Sequence, residues 1–304
     1  MPSFLTPNLH CFAVKFSPTL PTTLAIAACE NFGFSGGGVL MILDLFEDQL
    51  KVKGHSRCQN GVFDLSWNDN MIALAGGDGS VQIQNITLLD KPVVLYKEHA
   101  LEVLSVDWNQ HFILSGSWDC TVKIWDLQRQ TSLSTTCTFS PVHSVAWSPM
   151  LPNIFSCAGA DGKLRLWDTT MARMVSELHI CSGDVLTCAW SNHDSNIIIT
   201  GGSDCTIKGW DMRNSHTCLF ELKGCEYPVK KVQCSPHRRS TLASVSYDLS
   251  TCIWDWQVST NPIEIIKHHS EFVYGLDFSR HHPGQLSDCG WDSLVHVFNP
   301  KSLR

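Results

Sequence analysis

Short apolar runs that close on an aromatic residue recur along the chain: Val103 to Trp108, Val142 to Trp147, Val185 to Trp190 and Val273 to Phe278. Each is followed by a second apolar run, a tight turn, and a third run such as Thr121 to Trp125, Lys163 to Trp167 or Thr206 to Trp210. Alternating apolar and polar positions rich in β-branched and aromatic side chains predict half-buried strands, and no segment sustains the period of a helix. The third runs end at Asp44, Asn85, Asp126, Asp168, Asp211, Asp255 and Asn299, at spacings of 41, 41, 42, 43, 44 and 44 residues. That is the period of a four-stranded propeller blade. Seven ends predict an all-β, seven-bladed β-propeller occupying residues 1–304 as one domain.

Two repeat positions collect eight of the eleven Trp: Trp67, Trp108, Trp147 and Trp190 in the first run, and Trp125, Trp167, Trp210 and Trp254 in the third. Packing between blades accounts for them. Six residues before the second of these positions stands Asp78, Asp119, Asp161, Asp204, Asp248 or Asp292, which suits a hairpin turn because a carboxylate accepts neighbouring N–H groups. A propeller must also close, since an unpaired last blade exposes strand edges. Five residues follow Asn299, whereas Ser3 to Thr6 precede the first unit, so the N-terminal segment is expected to supply the missing strand.

Composition narrows the function. A hydrophobic content of 43% argues for a folded core, and a net charge of −7 with pI near 6.0 disfavours the basic stripe that nucleic acid requires. A cationic ligand suits this surface better. The longest apolar runs, Leu24 to Cys29 and Val39 to Leu43, fall far short of the roughly 20 residues that cross a bilayer, so no direct membrane insertion is expected. Met1 to Phe12 resembles neither a secretory nor a transit peptide, and the C-terminal Lys301, Ser302, Leu303 and Arg304 form no peroxisomal address. The expected compartment is the cytosol.

Fourteen Cys without a Cys-x-x-Cys pair read as reduced, mostly buried thiols. Fourteen His show no recognised ligand spacing, and the pairs His268-His269 and His281-His282 read as loop residues. No metal or other cofactor is expected. Neither a nucleophile–base pair nor a phosphate loop is visible, and Ser66, Ser105 and Ser144 read as ordinary strand residues, so the chain is not expected to be an enzyme.

Just before the turn Asp stand Gly77, Trp118, Ala160, Ser203, Tyr247 and Trp291, three of them large aromatics. Aromatics with a polar handle at a turn suit a ligand platform or, equally, local packing over a blade. Ahead of the first runs on the same rim come Asn60, Glu102, Asp184, Glu226 and Glu271, with Asp64 deeper in the channel. Converging carboxylates would attract Arg or Lys of a peptide, although a solvated polar rim has the same composition.

From about Phe12 to Asn299 these units resemble the WD-repeat family, in which a His, a Ser or Thr, the turn Asp and the Trp form a hydrogen-bonded tetrad. The third unit has all four, His99, Ser115, Asp119 and Trp125; elsewhere Cys181 and Cys225 take the His position and Phe298 the Trp position. More specific strings are Asn31-Phe32-Gly33 with Gly36 to Gly38, Val62 to Asn68, Lys97-Glu98-His99 with Glu102-Val103, Ser115 to Asp119, Ser246-Tyr247-Asp248 and His268 to Phe272. Together they resemble the peroxin 7 family of receptors for the type-2 peroxisomal targeting signal.

That resemblance implies a cytoplasmic receptor that binds the N-terminal targeting nonapeptide of peroxisomal matrix proteins and cycles to the peroxisomal membrane and matrix. It further implies a co-receptor, the long type-1 signal receptor or its fungal counterpart, and contact with the peroxisomal docking machinery. Carried onto this chain, Asn60, Asp64, Glu102, Asp184 and Glu271 would meet the basic residue of the signal, while Trp118, Tyr247, Tyr274 and Trp291 would offer apolar contact. Asn60 departs from the acid expected there, so the signal's cation would be held less strongly or by Asp64 instead. A WD-repeat scaffold or substrate adaptor for another basic peptide is the alternative.

Overall fold

A computed structural model describes residues 1–214 and 217–304, which form seven four-stranded antiparallel sheets with no α-helix among the described residues. Six sheets use consecutive strands. Blade 1 is His10–Phe16, Thr23–Cys29, Gly38–Phe46 and Gln49–Cys58. Blades 2 to 6 begin with the inner strands Val62–Asn68, Val103–Trp108, Val142–Trp147, Val185–Trp190 and Val229–Cys234. Blade 7 comprises Val273–Phe278, Leu286–Gly290 and Leu294–Phe298, with Ser3–Leu5 as its outer strand.

Burial follows position within each sheet. The second strands are buried throughout, as in Thr23–Cys29, Ile197–Gly202 and Thr241–Ser246, while an outer strand such as Gln49–Cys58 exposes about every other residue. Because both faces of a blade are covered by its neighbours, the core is divided into layers between blades. Ala25, Ala27, Leu40 and Ile42 of blade 1 meet Leu65, Trp67, Ile72 and Leu74 of blade 2, and this arrangement repeats around the ring. Burying each large aliphatic side chain in such a layer contributes roughly 1.5–3 kcal/mol.

Side chains of the inner strands also bind neighbouring backbones. Ser66 Oγ accepts from Trp108 N, Ser105 Oγ from Val145 N, Ser144 Oγ from Cys188 N and Thr187 Oγ1 from Val232 N, at 3.0 to 3.3 Å. These ordinary strand serines thus also tie neighbouring blades together. Across the closure, Asp277 accepts from Phe16 N at 2.9 Å.

Closure uses the N-terminal segment. Ser3, Phe4 and Leu5 pair with His296, Val295 and Leu294, and buried Thr6 donates its N–H and hydroxyl to Ser293 O at 2.8 and 3.1 Å. Cys11, Val14, Leu24 and Ile26 of blade 1 then pack on Cys289, Val295 and Val297 of blade 7.

Candidate functional site

Every inner strand breaks register near its beginning: between Cys11 and Ala13, Val62 and Asp64, Val103 and Ser105, Val142 and Ser144, Val185 and Thr187, Val229 and Lys231, and Val273 and Gly275. A β-bulge leaves one residue unpaired and re-aims its side chain. The seven residues so displaced, Phe12, Phe63, Leu104, His143, Leu186, Lys230 and Tyr274, all line one cavity of about 320 Å³. Five are apolar or aromatic. Lys230 and His143 are the two basic ones.

The rim is fixed by a second repeated contact. The residue before each turn Asp donates its N–H to the segment ahead of the inner strand: Gly77 to Gly61 O, Trp118 to Glu102 O, Ala160 to Pro141 O, Ser203 to Asp184 O, Tyr247 to Pro228 O and Trp291 to Phe272 O. Trp118, Tyr247, Trp291 and Glu102 thus arrive on one face, and all four line the cavity. Trp291 stacks on Tyr274 at 4.7 Å, Phe12 lies 5.0 Å from Tyr274 and 5.7 Å from Trp291, and Tyr247 Oη donates to Tyr274 Oη at 3.3 Å. Burial pushes both phenols above their ordinary value. Trp118 is 44% exposed and remains open to a ligand.

A loop beside the mouth completes this wall. Phe32 adopts φ 57° and stacks on His10 at 3.5 Å, with Trp291 5.2 Å away. At Gly33, φ is 76° and a Cβ would lie 2.7 Å from the Phe63 ring, so the close approach requires glycine. Phe34, which also lines the cavity, is 86% exposed.

The charges are more mixed than an acidic mouth. Glu102 is half-buried in the cavity wall, and Asp184 accepts from His143 Nε2 at 3.2 Å while nearly half its side chain faces solvent. Lys230 Nζ lies 5.0 Å above the Tyr274 ring, and burial, reinforced by Lys231, lowers its pKa to about 8. Burial and Lys230 likewise hold His143 below its ordinary value, against the pull of Asp184. Asn60 and Glu271 are exposed and stand outside the cavity lining.

Asp64 is committed elsewhere. Buried in the channel wall, its carboxylate accepts from Ser105 Oγ, Val106 N and Leu65 N at 3.0 to 3.2 Å and lies 3.6 Å from Lys231 Nζ. These contacts commit it to the channel wall, away from the cavity lining. The bulge residues Phe12, Phe63, Leu104, His143, Leu186 and Lys230 escaped sequence reasoning, although all but Phe12 directly follow the Val that opens an inner strand.

Comparison with known proteins fits this architecture. The WD domain, G-beta repeat family matches residues 90–126, 130–168 and 174–211. Over 98% of the chain, it is 39% identical to the peroxisomal targeting signal 2 receptor of Mus musculus and 40% identical to that of Homo sapiens, covering 96% and 95% of those proteins. The chain belongs to the peroxisomal targeting signal 2 receptor family. Peroxisome biogenesis protein 7 of Arabidopsis thaliana is 36% identical over 98% of this chain and 97% of its own.

In this family member, blade 3 carries the complete tetrad. Trp125 Nε1 donates to Ser115 Oγ at 2.8 Å, Ser115 Oγ donates to His99 Nε2 at 2.8 Å, and His99 Nδ1 donates to Asp119 at 2.9 Å. Burial outweighs Asp119 and keeps His99 below its ordinary pKa, consistent with a neutral ring. In blades 2, 4 and 5 the turn carboxylate is paired instead with a base of its own sheet, Lys97, Arg165 or Lys208.

Blade 7 departs further. By strand register Asp288 takes the place of Ser115, His296 that of Lys123 and Phe298 that of Trp125. His269 lies in the loop before the inner strand, as expected, but it is buried and donates from both ring nitrogens, to Asp292 at 2.9 Å and to Asp288 at 3.1 Å. Although burial pushes its pKa down, the two carboxylates raise it to about 9. His268 Nε2 donates to Asp288 at 2.8 Å.

Proposed function

We propose that this chain binds the N-terminal type-2 targeting nonapeptide of peroxisomal matrix proteins in the aromatic cavity and, with a co-receptor, delivers them for import. The ring of seven bulge residues carries this reading, because it gives a chain of this family one apolar cavity with carboxylates at its edge. A nonapeptide whose positions 1, 2, 8 and 9 share one helical stripe presents a basic and apolar face to such a groove. Trp118, Tyr247, Tyr274 and Trp291 take the apolar side chains. Glu102 and Asp184 take the basic residue, with Glu271 and Asn60 farther out on the rim, and Asp64 supports the channel beneath.

The exposed Phe34 lets an apolar segment of the co-receptor close over the same cavity, so that cargo and co-receptor bind cooperatively. The receptor would cycle between cytoplasm and peroxisome through the docking machinery, and its work is binding rather than catalysis. No helix among the described residues is long and apolar enough to cross a membrane.

Replacing Glu102→Arg tests the reading at its rim. Loss of nonapeptide capture at an unchanged melting temperature is expected; capture as strong as that of the native chain overturns the assignment.

A further inference from the structure

The histidines of blade 7 take no part in the peptide contacts proposed above. Three of them, His268, His269 and His296, each place a ring nitrogen within 4.8 Å of the others'. Their ring centroids are 4.3 to 4.9 Å apart. His296 is 5% exposed, and among the described residues neither of its ring nitrogens has a hydrogen-bond partner; His268 Nδ1 is likewise buried and unpartnered. Leaving such groups unsatisfied in a protein interior is costly.

Beneath the rings lies Asp288, fully buried, accepting from His268, His269 and Thr251. A carboxylate that holds one nitrogen of a histidine presents the other as a ligand, which is the usual support for a metal-bound imidazole. Here Asp288 fixes His268 Nε2 and so leaves Nδ1 free, while Asp292 holds His269 Nδ1 and turns Nε2 toward the cluster. We propose that His268, His269 and His296 bind a divalent transition-metal ion of the zinc class, oriented and charge-balanced by Asp288.

Imidazole nitrogens with one supporting carboxylate suit zinc, whose Zn–N distance of about 2.0–2.1 Å requires the three nitrogens to draw closer than their spacing of up to 4.8 Å. The proton that His269 shares with Asp288 leaves to solvent when the ion takes its place. The consequence is structural. His296 sits on Leu294–Phe298 opposite Ser3 of the closing strand, whereas His268 and His269 precede Val273–Phe278, so an ion here staples blade 7 at the seam of the ring.

The test is a titration of the full, chelator-stripped chain with Co2+ alone, followed by visible absorption, and with Zn2+ alone, followed by thermal melting. Expected are about one Co2+ per chain with a nitrogen and oxygen ligand spectrum, a higher melting temperature with Zn2+, and roughly tenfold or greater loss of affinity in His296→Phe. A thiolate-to-cobalt charge-transfer band from the fourteen cysteines, or unchanged affinity in a folded His296→Phe chain, overturns the proposal. Should that variant not fold, X-ray absorption of the zinc-loaded native chain decides: a shell of imidazole ligands supports the site, and a sulfur shell or no bound zinc contradicts it.

Discussion

Lys230 places a cation inside a cavity whose proposed ligand is itself basic. Its ammonium faces Tyr274, is repelled by Lys231 and is drawn toward Asp64, while His143 and Asp184 occupy the neighbouring wall. Replacing Lys230→Met should therefore tighten binding of the basic nonapeptide several-fold, as anisotropy would register. The same change should stabilise the fold at neutral pH. With a folded pKa near 8 against an ordinary 10.5, the unfolded chain binds this proton more tightly, so the penalty is complete below pH 8 and fades as pH rises toward 10.5. Melting temperatures of the two chains should converge over that interval; a gap independent of pH would contradict the account. In the sequence, Trp118, Tyr247 and Trp291 stood out because aromatics before a turn Asp are conspicuous. Lys230 and Phe63 did not, because a bulge rather than the strand period aims them inward, and an alternating pattern counts them as outward-facing.

Within a blade, the turn carboxylate organises the sheet whether or not the histidine is present. Asp119 accepts from Thr121 N and Oγ1, Ala100 N and His99, and despite the upward push of burial these contacts hold it below the ordinary carboxylate value. Asp119→Asn should lower stability by about 1–3 kcal/mol, since it leaves the buried His99 and the half-buried Thr121 donors poorly matched. A lowered carboxylate contributes stability above its unfolded pKa and loses it as pH falls through the folded one, so the deficit of Asp119→Asn should shrink below pH 3.8. Thermal melts across that range check both statements. The tetrad of blade 3 was legible because all four residue types stand at their repeat positions. Blade 7 was not, since His269 faces Asp288 where Ser115 stands in blade 3, a substitution whose consequence emerges only from the strand register.

Across the whole ring, the 41 to 44 residue spacing made the seven blades legible, because each unit must bury both faces against neighbours and so repeats the same apolar positions. The N-terminal strand was legible because a propeller must close its ring and Ser3 to Thr6 stand ahead of the first unit. Removing residues 1–9 takes away Thr6, the pairing of Ser3–Leu5 with blade 7 and the Leu9 and Phe4 contacts of the closing core. A fall of several degrees in melting temperature is expected, and an unchanged value would deny the segment its closing role. What the ring finally serves is the mouth that its seven inner strands build together. The most direct test is fluorescence anisotropy of a labelled Arg-Leu-x5-His-Leu peptide titrated with the full chain, with and without a candidate co-receptor, beside a copy whose arginine is replaced by glutamate. Saturable binding that strengthens with co-receptor and disappears for the charge-reversed copy is predicted; equal binding of both peptides, or none by a folded chain under either condition, would contradict it.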